Sequence, residues 1–476
     1  MTAHRQSDTD ACPGALRLHA AADGLLARVR LPGGLLTGAQ LGSLGELAEQ
    51  FGDGRLELTS RANLQLRALQ EGDTARLADR LRAAGLLPSP THDAVRNIAA
   101  PPLAAARLRA LVEELDAAIR ADPELAGLPG KFLFAIGQVP LAADVAAIPD
   151  GPRFGLRFGG HDTGLRVDAG RVTEALIVSA HAFLAEREAQ RGGRAAAWRL
   201  RELADGPARV SARAAAALRL TPVSVPVATP AEVVDPGALV GVVTDNDQAA
   251  AGALVPLGRL ESAQIRVLAE AERLVVTPWR GVLVPGLTGS AAAAWIERLA
   301  AAGLVVTPTS RWTGVTACAG RPGCARSLGD VRADAEAASR FVEGLPAHWV
   351  GCARACGSPA GDHVRIEATG EGYAVTRRSG DGRPAGEAVP HGEAGPGVAP
   401  AGDPGPRRDE AAGPRSAKRR DEAAGPRPAK RRDEDGPSSA RQRDEADDPG
   451  AVRGPGRAGT FPVDVLGDVV AGARRA

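Results

Sequence analysis

Apolar and polar positions change their period along the chain in an order that is then repeated. Leu25 to Leu31 alternates with period two and predicts a strand. Ala39 to Phe51 follows helical spacing, Leu56 to Leu69 returns to strand spacing, and a second helix ends at Ala83-Ala84-Gly85. Residues 55–91 align without a gap with 273–309 at a constant offset of 218, through Arg55/Arg273, Leu56/Leu274, Thr59/Thr277 and Gly85/Gly303. Upstream, Gly34/Gly258, Leu36/Leu260 and Gln40/Gln264 correspond after a shift of about six residues. A gapless repeat of this length predicts a duplicated α+β unit.

A second pattern follows each copy. Leu108, Leu111, Val112, Leu115 and Ile119 make a helical stripe, followed by strand patterns at Lys131 to Ile136, Phe154 to Phe158 and Leu165 to Val167. Helices are predicted at Val172 to Arg187 and Ala195 to Leu203. After the second copy, Leu328, Val331, Ala335, Ala338 and Val342 mark one helix face. Strands are predicted at His348 to Val350, Val364 to Ala368 and Tyr373 to Thr376. The order is A, B, A′, B′, with expected boundaries at 12–90, 91–235, 236–308 and 309–380.

From about Gly380 the apolar positions vanish and Arg-Arg-Asp-Glu recurs at Arg407, Arg419 and Arg431, with a relative at Gln442. A mixed-charge tract broken by Pro and Gly buries too little to offset ordering entropy, so 381–458 is expected to be a disordered insert. The apolar stretch Phe461 to Val470, within 459–476, is expected to add a last strand or helix. Over 476 residues the formal net charge is +1, with 44% apolar residues, so nothing global favours nucleic acid as a partner. The first 30 residues hold no signal-like apolar run and no stretch has 18 uninterrupted apolar residues; the expectation is a cytoplasmic, unanchored protein.

Five cysteines without an export signal favour metal or redox chemistry over disulfides. Cys318 and Cys324 form a C-x5-C pair on a Gly/Pro loop, and Cys352 and Cys356 form a C-x3-C pair after a predicted strand, with 27 residues between the pairs. Two pairs of thiolates can bracket one centre from two sides, and a [4Fe-4S] cluster takes four. Gly320, Gly323, Gly351 and Gly357 let backbone approach such a group. A zinc site or four inert thiols are the alternatives. Cys12 lies far off and is read as structural or unpaired.

The cysteine spacing and the duplication together resemble the sulfite and nitrite reductase superfamily. The likeness covers most of residues 14–380 and includes Leu58-Thr59-Ser60-Arg61-Ala62-Asn63-Leu64-Gln65, Val95-Arg96-Asn97-Ile98 and Leu128-Pro129-Gly130-Lys131-Phe132. The resemblance implies two ferredoxin-like half-domains alternating with two α+β domains. It also implies that Arg61, Arg96 and Lys131 line the anionic side of a tetrapyrrole-sized cavity. Lys131 is the sole lysine outside the charged tract, and an ammonium is not interchangeable with the guanidinium used elsewhere.

Where sulfite reductases carry a second lysine, this chain has Leu133. That departure, with Ala11-Cys12-Pro13-Gly14-Ala15-Leu16-Arg17 and Asp23-Gly24-Leu25-Leu26-Ala27-Arg28-Val29-Arg30, resembles the cobalamin-pathway branch of the superfamily, the precorrin-3B synthases. That branch implies a monooxygenase that hydroxylates precorrin-3A with dioxygen and closes a lactone. Its electrons come from an external donor, an NADH-linked reductase or a ferredoxin. A mononuclear non-haem iron accompanies the cluster, and His348 and His363 are the histidines nearest the second cysteine pair. Arg61, Arg67, Arg96, Arg153 and Arg157 would pair with the substrate's carboxylates. The alternatives are a sirohaem-dependent sulfite or nitrite reductase and a non-catalytic electron carrier.

Overall fold

Thr37 ends one strand and starts a helix: its hydroxyl accepts the Gln40 N–H at 3.1 Å, and the Gln40 side chain accepts the Thr37 N–H at 3.0 Å. In the second copy Glu261 and Gln264 build the same reciprocal cap. The computed structural model describes residues 12–192, 196–225, 235–245, 248–359, 361–379 and 460–475. The first copy contains β1 (His19–Ala21), β2 (Gly24–Val29), β3 (Leu35–Thr37), α1 (Gly38–Phe51), β4 (Leu56–Leu58), β5 (Leu64–Leu69) and α2 (Thr74–Ala83). The single strand expected over Leu56 to Leu69 is a hairpin. Thr59 donates its N–H to the Asn63 carbonyl at 2.9 Å, and Ala62 turns at φ 56°.

The next layer contains β6 (Ile98–Ala99), α3 (Ala106–Ala121), β7 (Phe134–Ile136), β8 (Val145–Asp150), β9 (Arg153–Phe158), β10 (His161–Asp168), α4 (Val172–Ala189) and α5 (Gly206–Leu218). No helix forms over the described part of Ala195 to Leu203 beyond one 3-10 turn at Leu200–Glu202. The helix starts after it because Pro207 suits a first turn, where no N–H is needed. The second copy contains β11 (Gly241–Asp245), β12 (Gln248–Leu254), β13 (Arg259–Leu260), α6 (Ser262–Leu268), β14 (Arg273–Val276), β15 (Gly281–Leu287) and α7 (Gly289–Ala301).

The last layer contains β16 (Val315–Ala317), α8 (Val331–Ala338), β17 (Ala347–Val350), β18 (His363–Thr369), β19 (Gly372–Arg378), β20 (Thr460–Phe461) and α9 (Leu466–Arg475). Helix α8 is shorter than its apolar stripe because Asp330 caps it, leaving Leu328 outside and 51% exposed. The charged insert, 381–458, lies outside the described residues; in sequence it falls between the antiparallel neighbours β19 and β20, where the first copy joins β9 to β10 through Gly159-Gly160.

Among the described residues four five-stranded sheets result, and two of them exchange strands. One runs β1-β2-β5-β4-β13 and another β11-β12-β15-β14-β3, so each half-domain completes the other's sheet. Leu260 pairs with Leu56, and Leu36 with Leu274: the same pair of repeat positions, met twice. Both sheets contribute to one core containing Leu36, Leu44, Leu56, Leu260, Leu268 and Leu299. The other two sheets, β6 to β10 and β16 to β20, each run in sequence order as two parallel pairings followed by two antiparallel ones.

Candidate functional site: cysteine loops beside an arginine cluster

Parallel neighbouring strands place their following loops side by side, and β16 and β17 do this for the two cysteine pairs. Cys318 directly follows β16 and donates its N–H to the Trp349 carbonyl at 2.9 Å. Gly351, between β17 and Cys352, donates its N–H to Cys318 Sγ at 3.3 Å. A Cβ on Gly351 would lie 1.8 Å from Ser327 Oγ, so only glycine lets the two loops approach. Burial pushes the Cys356 thiol up, against Arg354, and Cys318, Cys352 and Cys324 each add to the rise. The two cysteine pairs stand on adjoining loops, and no group of three or more His, Cys, Asp or Glu among the described residues is placed to hold a metal ion. Four thiols are the donor type that an iron-sulfur cluster takes.

The loops are held by arginines. Arg332, from α8, donates through Nε to the Cys318 carbonyl at 3.1 Å and through Nη1 to Glu57 at 2.6 Å. Arg67, from β5, donates to the Gly323 carbonyl at 2.6 Å, pairs with Asp23 at 2.9 Å and lies 3.7 Å from Glu57. The first copy thus anchors the cysteine loop of the second. Burial favours the neutral form of Glu57, but Arg332 and Arg67 outweigh it and hold the carboxyl below its usual range. Gln65 extends the chain: it donates to Glu57 at 3.3 Å and accepts Arg28 Nε at 2.9 Å.

Arg28 opens onto the second feature, a cluster of positive groups. Arg61, on the β4–β5 hairpin, donates to the Lys131 carbonyl at 3.1 Å. Burial and then Arg199 lower its guanidinium to about 10, while Cys12 and Asp144 oppose them. Arg30 is buried among the Ala94, Pro13 and Gly130 carbonyls, and its Nη1 has no partner; burial and Arg28 lower it to about 9. Lys131 Nζ stands 4.6 Å from the Trp198 ring centre. Like charges gathered this closely favour an anion.

Of the residues expected to line the site, the structure joins Arg61 and Lys131 but gives Arg96 a partner of its own. Arg96 is buried and bidentate to Asp116, at 2.6 and 2.9 Å, and Arg120 shares that carboxylate at 3.1 Å. Arg153 and Arg157 are corrections: on the hairpin of β9 and β10 they meet Asp168 at 3.4 Å and Asp162 at 3.1 Å. Arg67 is a third, since it holds the cysteine loop. His348 uses Nε2 on the Cys356 carbonyl at 3.1 Å and Nδ1 on the Thr316 hydroxyl at 2.8 Å. Burial and then Arg280 keep it neutral. His363 Nδ1 meets the Gly361 carbonyl at 2.8 Å.

Sequence reasoning missed Glu57, Gln65, Arg28, Arg30, Arg199, Arg280 and Arg332. A signal existed for Glu57 and Arg67, charges on strands that are otherwise apolar, and for Arg280, which the 218 offset sets opposite Ala62.

With this geometry in place, comparison with known proteins is informative. The nitrite/sulfite reductase ferredoxin-like half domain matches residues 19–84. The structure of Mycobacterium tuberculosis NirA protein superposes with a TM-score of 0.62 at 21% identity over 76% of each chain, a likeness of fold. The chain shares the nitrite/sulfite reductase-like architecture. It is 26% identical over 386 residues to the precorrin-3B synthase of Sinorhizobium sp, covering 77% of this chain and 82% of that one. It is 39% identical over 123 residues to the ferredoxin–nitrite reductase of Synechococcus elongatus, which takes in only 24% of that protein's length. No helix among the described residues is long and apolar enough to cross a membrane.

Proposed function

We propose that this chain is a precorrin-3B synthase-like monooxygenase, which hydroxylates precorrin-3A with dioxygen and forms a lactone. The observation that carries this reading is the similarity to a precorrin-3B synthase, 26% identical over 82% of that protein's length. Position 133 agrees with it. Leu133 is 2% exposed in an apolar cluster with Ala99, Ala135, Ala143 and Ala146, where a second lysine would serve a sulfite site.

Cys318, Cys324, Cys352 and Cys356 would hold a [4Fe-4S] cluster, which supplies electrons singly when bound. Arg28, Arg30, Arg61 and Lys131 form the cationic wall for a polycarboxylated tetrapyrrole, and Arg199 beside Arg61 is paired with Asp144 at 2.7 Å. Each charge-assisted contact is worth about 1.5–3 kcal/mol. Arg96 contributes by fixing, through Asp116, the segment that leads to Asn97, whose amide donates to the Phe132 carbonyl beside Lys131 at 3.0 Å. In the overall reaction one oxygen atom enters the macrocycle and the other leaves as water, with two electrons drawn from a ferredoxin or an NADH-linked reductase. The expected mononuclear iron has no assigned ligands.

The test is an anaerobic absorption and electron paramagnetic resonance spectrum of purified protein, with iron, sulfide and sirohaem quantified, followed by precorrin-3A turnover in air. A cluster signal without sirohaem, and dioxygen-dependent loss of precorrin-3A, support the reading. Stoichiometric sirohaem with sulfite or nitrite reduction replaces it by the reductase alternative.

A further inference from the structure

Arg280 occupies the turn between β14 and β15, the place that Ala62 fills in the first copy, and both residues have positive φ, 59° and 56°. A left-handed backbone at a residue with a side chain is costly and persists only where the surroundings enforce it. The Arg280 side chain is directed inward and is 7% exposed. Its stem lies against Gly258, where a Cβ would come within 2.6 Å of Arg280 Cδ. Its Nη2 lies against Gly357, where a Cβ would come within 2.7 Å. Gly357 is the residue after Cys356.

No carboxylate among the described residues pairs with this guanidinium, and Nη1 is buried without a hydrogen-bond partner. The nearby Glu57 is already held by Arg332 at 2.6 Å and Arg67 at 3.7 Å. His348, also packed against Gly357, uses both ring nitrogens, on the Thr316 hydroxyl and the Cys356 carbonyl. A buried unpaired charge is costly, so the molecule needs an anion at this place. Four thiolates around a cube of iron and sulfide give a net negative group in its usual oxidation states. The left-handed position of this turn is an arginine in the copy that carries the cysteines and an alanine, Ala62, in the other.

We propose that Arg280 is the counter-charge of the cluster, donating from its guanidinium to a cluster or thiolate sulfur and raising the reduction potential. Reduction adds a negative charge beside a fixed cation, so the cation favours the reduced form. The inference rests on the four cysteines being a cluster site.

The experiment compares full-length wild type, Arg280→Gln and Arg280→Lys, each reconstituted with iron and sulfide. Iron and sulfide are quantified, folding is checked by circular dichroism, and the midpoint potential is read by electron paramagnetic resonance in a redox titration. The Gln variant is expected to lose about tenfold in the reduction equilibrium, a fall of about 59 mV for one electron, with the Lys variant closer to wild type. Loading of Lys but not Gln also supports a required charge. A Gln potential equal to wild type overturns the inference, as does loss of the cluster from both folded variants, which would make Arg280 a prop for the loop. If wild type itself holds no cluster, the four-cysteine reading falls as well, and the iron count separates that outcome from a failure confined to Arg280.

Discussion

The two copies of the repeat share backbone and differ in chemistry. In each, a hairpin turn with one left-handed residue faces the end of a parallel strand pair. The first copy sets Arg61 and Ala62 at its turn, with Ala100 and Gly137-Gln138 after its parallel strands. The second sets Trp279 and Arg280 at the turn, with Cys318 and Gly351-Cys352 after the strands. One scaffold thus carries Arg61 at the turn of the first copy and the two cysteine pairs on the loops of the second. Arg67 of the first copy reaching Gly323 of the second couples them directly.

The largest expected effect tests the cysteine side of this contrast. Cys318→Ser or Cys352→Ser should abolish bound iron and sulfide after reconstitution, while Cys12→Ser leaves both at wild-type levels; equal retention by all three would break the assignment. Next comes the exchange itself. Leu260→Ala removes a fully buried side chain from the borrowed strand, and a loss of about 3–4 kcal/mol is expected in denaturant unfolding. Leu36→Ala should match it if the copies are equivalent. A marked inequality would mean that one half-domain depends on the exchange more than the other.

Glu57→Gln sharpens the comparison where the copies meet. It leaves Arg332 and Arg67 without their shared carboxylate, and about 3 kcal/mol of destabilisation is expected. The folded carboxyl is held below its unfolded value. Its contribution is therefore complete above the unfolded pKa of about 4.3 and is lost as pH falls through the depressed folded value. Wild type should lose its advantage over Glu57→Gln under acid, and a stability gap constant from pH 7 to pH 3 would refute the linkage. The smallest effect belongs to the anion side. Arg61→Ala should weaken binding of a polycarboxylated tetrapyrrole by about 1.5–3 kcal/mol, read by equilibrium titration, while iron content and unfolding midpoint stay near wild type.

The sequence by itself determined the duplication, because the two copies kept their apolar positions in register over a gapless stretch. It also determined the order of the layers, from the switch between periods, and the spacing of the two cysteine pairs. Local caps were legible too: Gln40 and Gln264 are repeat partners and do the same work at two helix starts. What only the tertiary structure decided is which element meets which. Strands β3 and β13 carry no local mark of pairing outside their own copy, since their apolar pattern satisfies either sheet. The hairpin at Thr59 to Ala62 was hidden inside an uninterrupted strand pattern because its turn contains no Gly or Pro. Arginines were the least legible. Arg61, Arg96, Arg153 and Arg280 are the same residue type in one dimension. The carboxylate that neutralises Arg96 lies 20 positions away and that of Arg153 lies 15. Whether a guanidinium is paired, propping a loop or left facing an anion depends on distances of a few ångströms, which chain order does not encode.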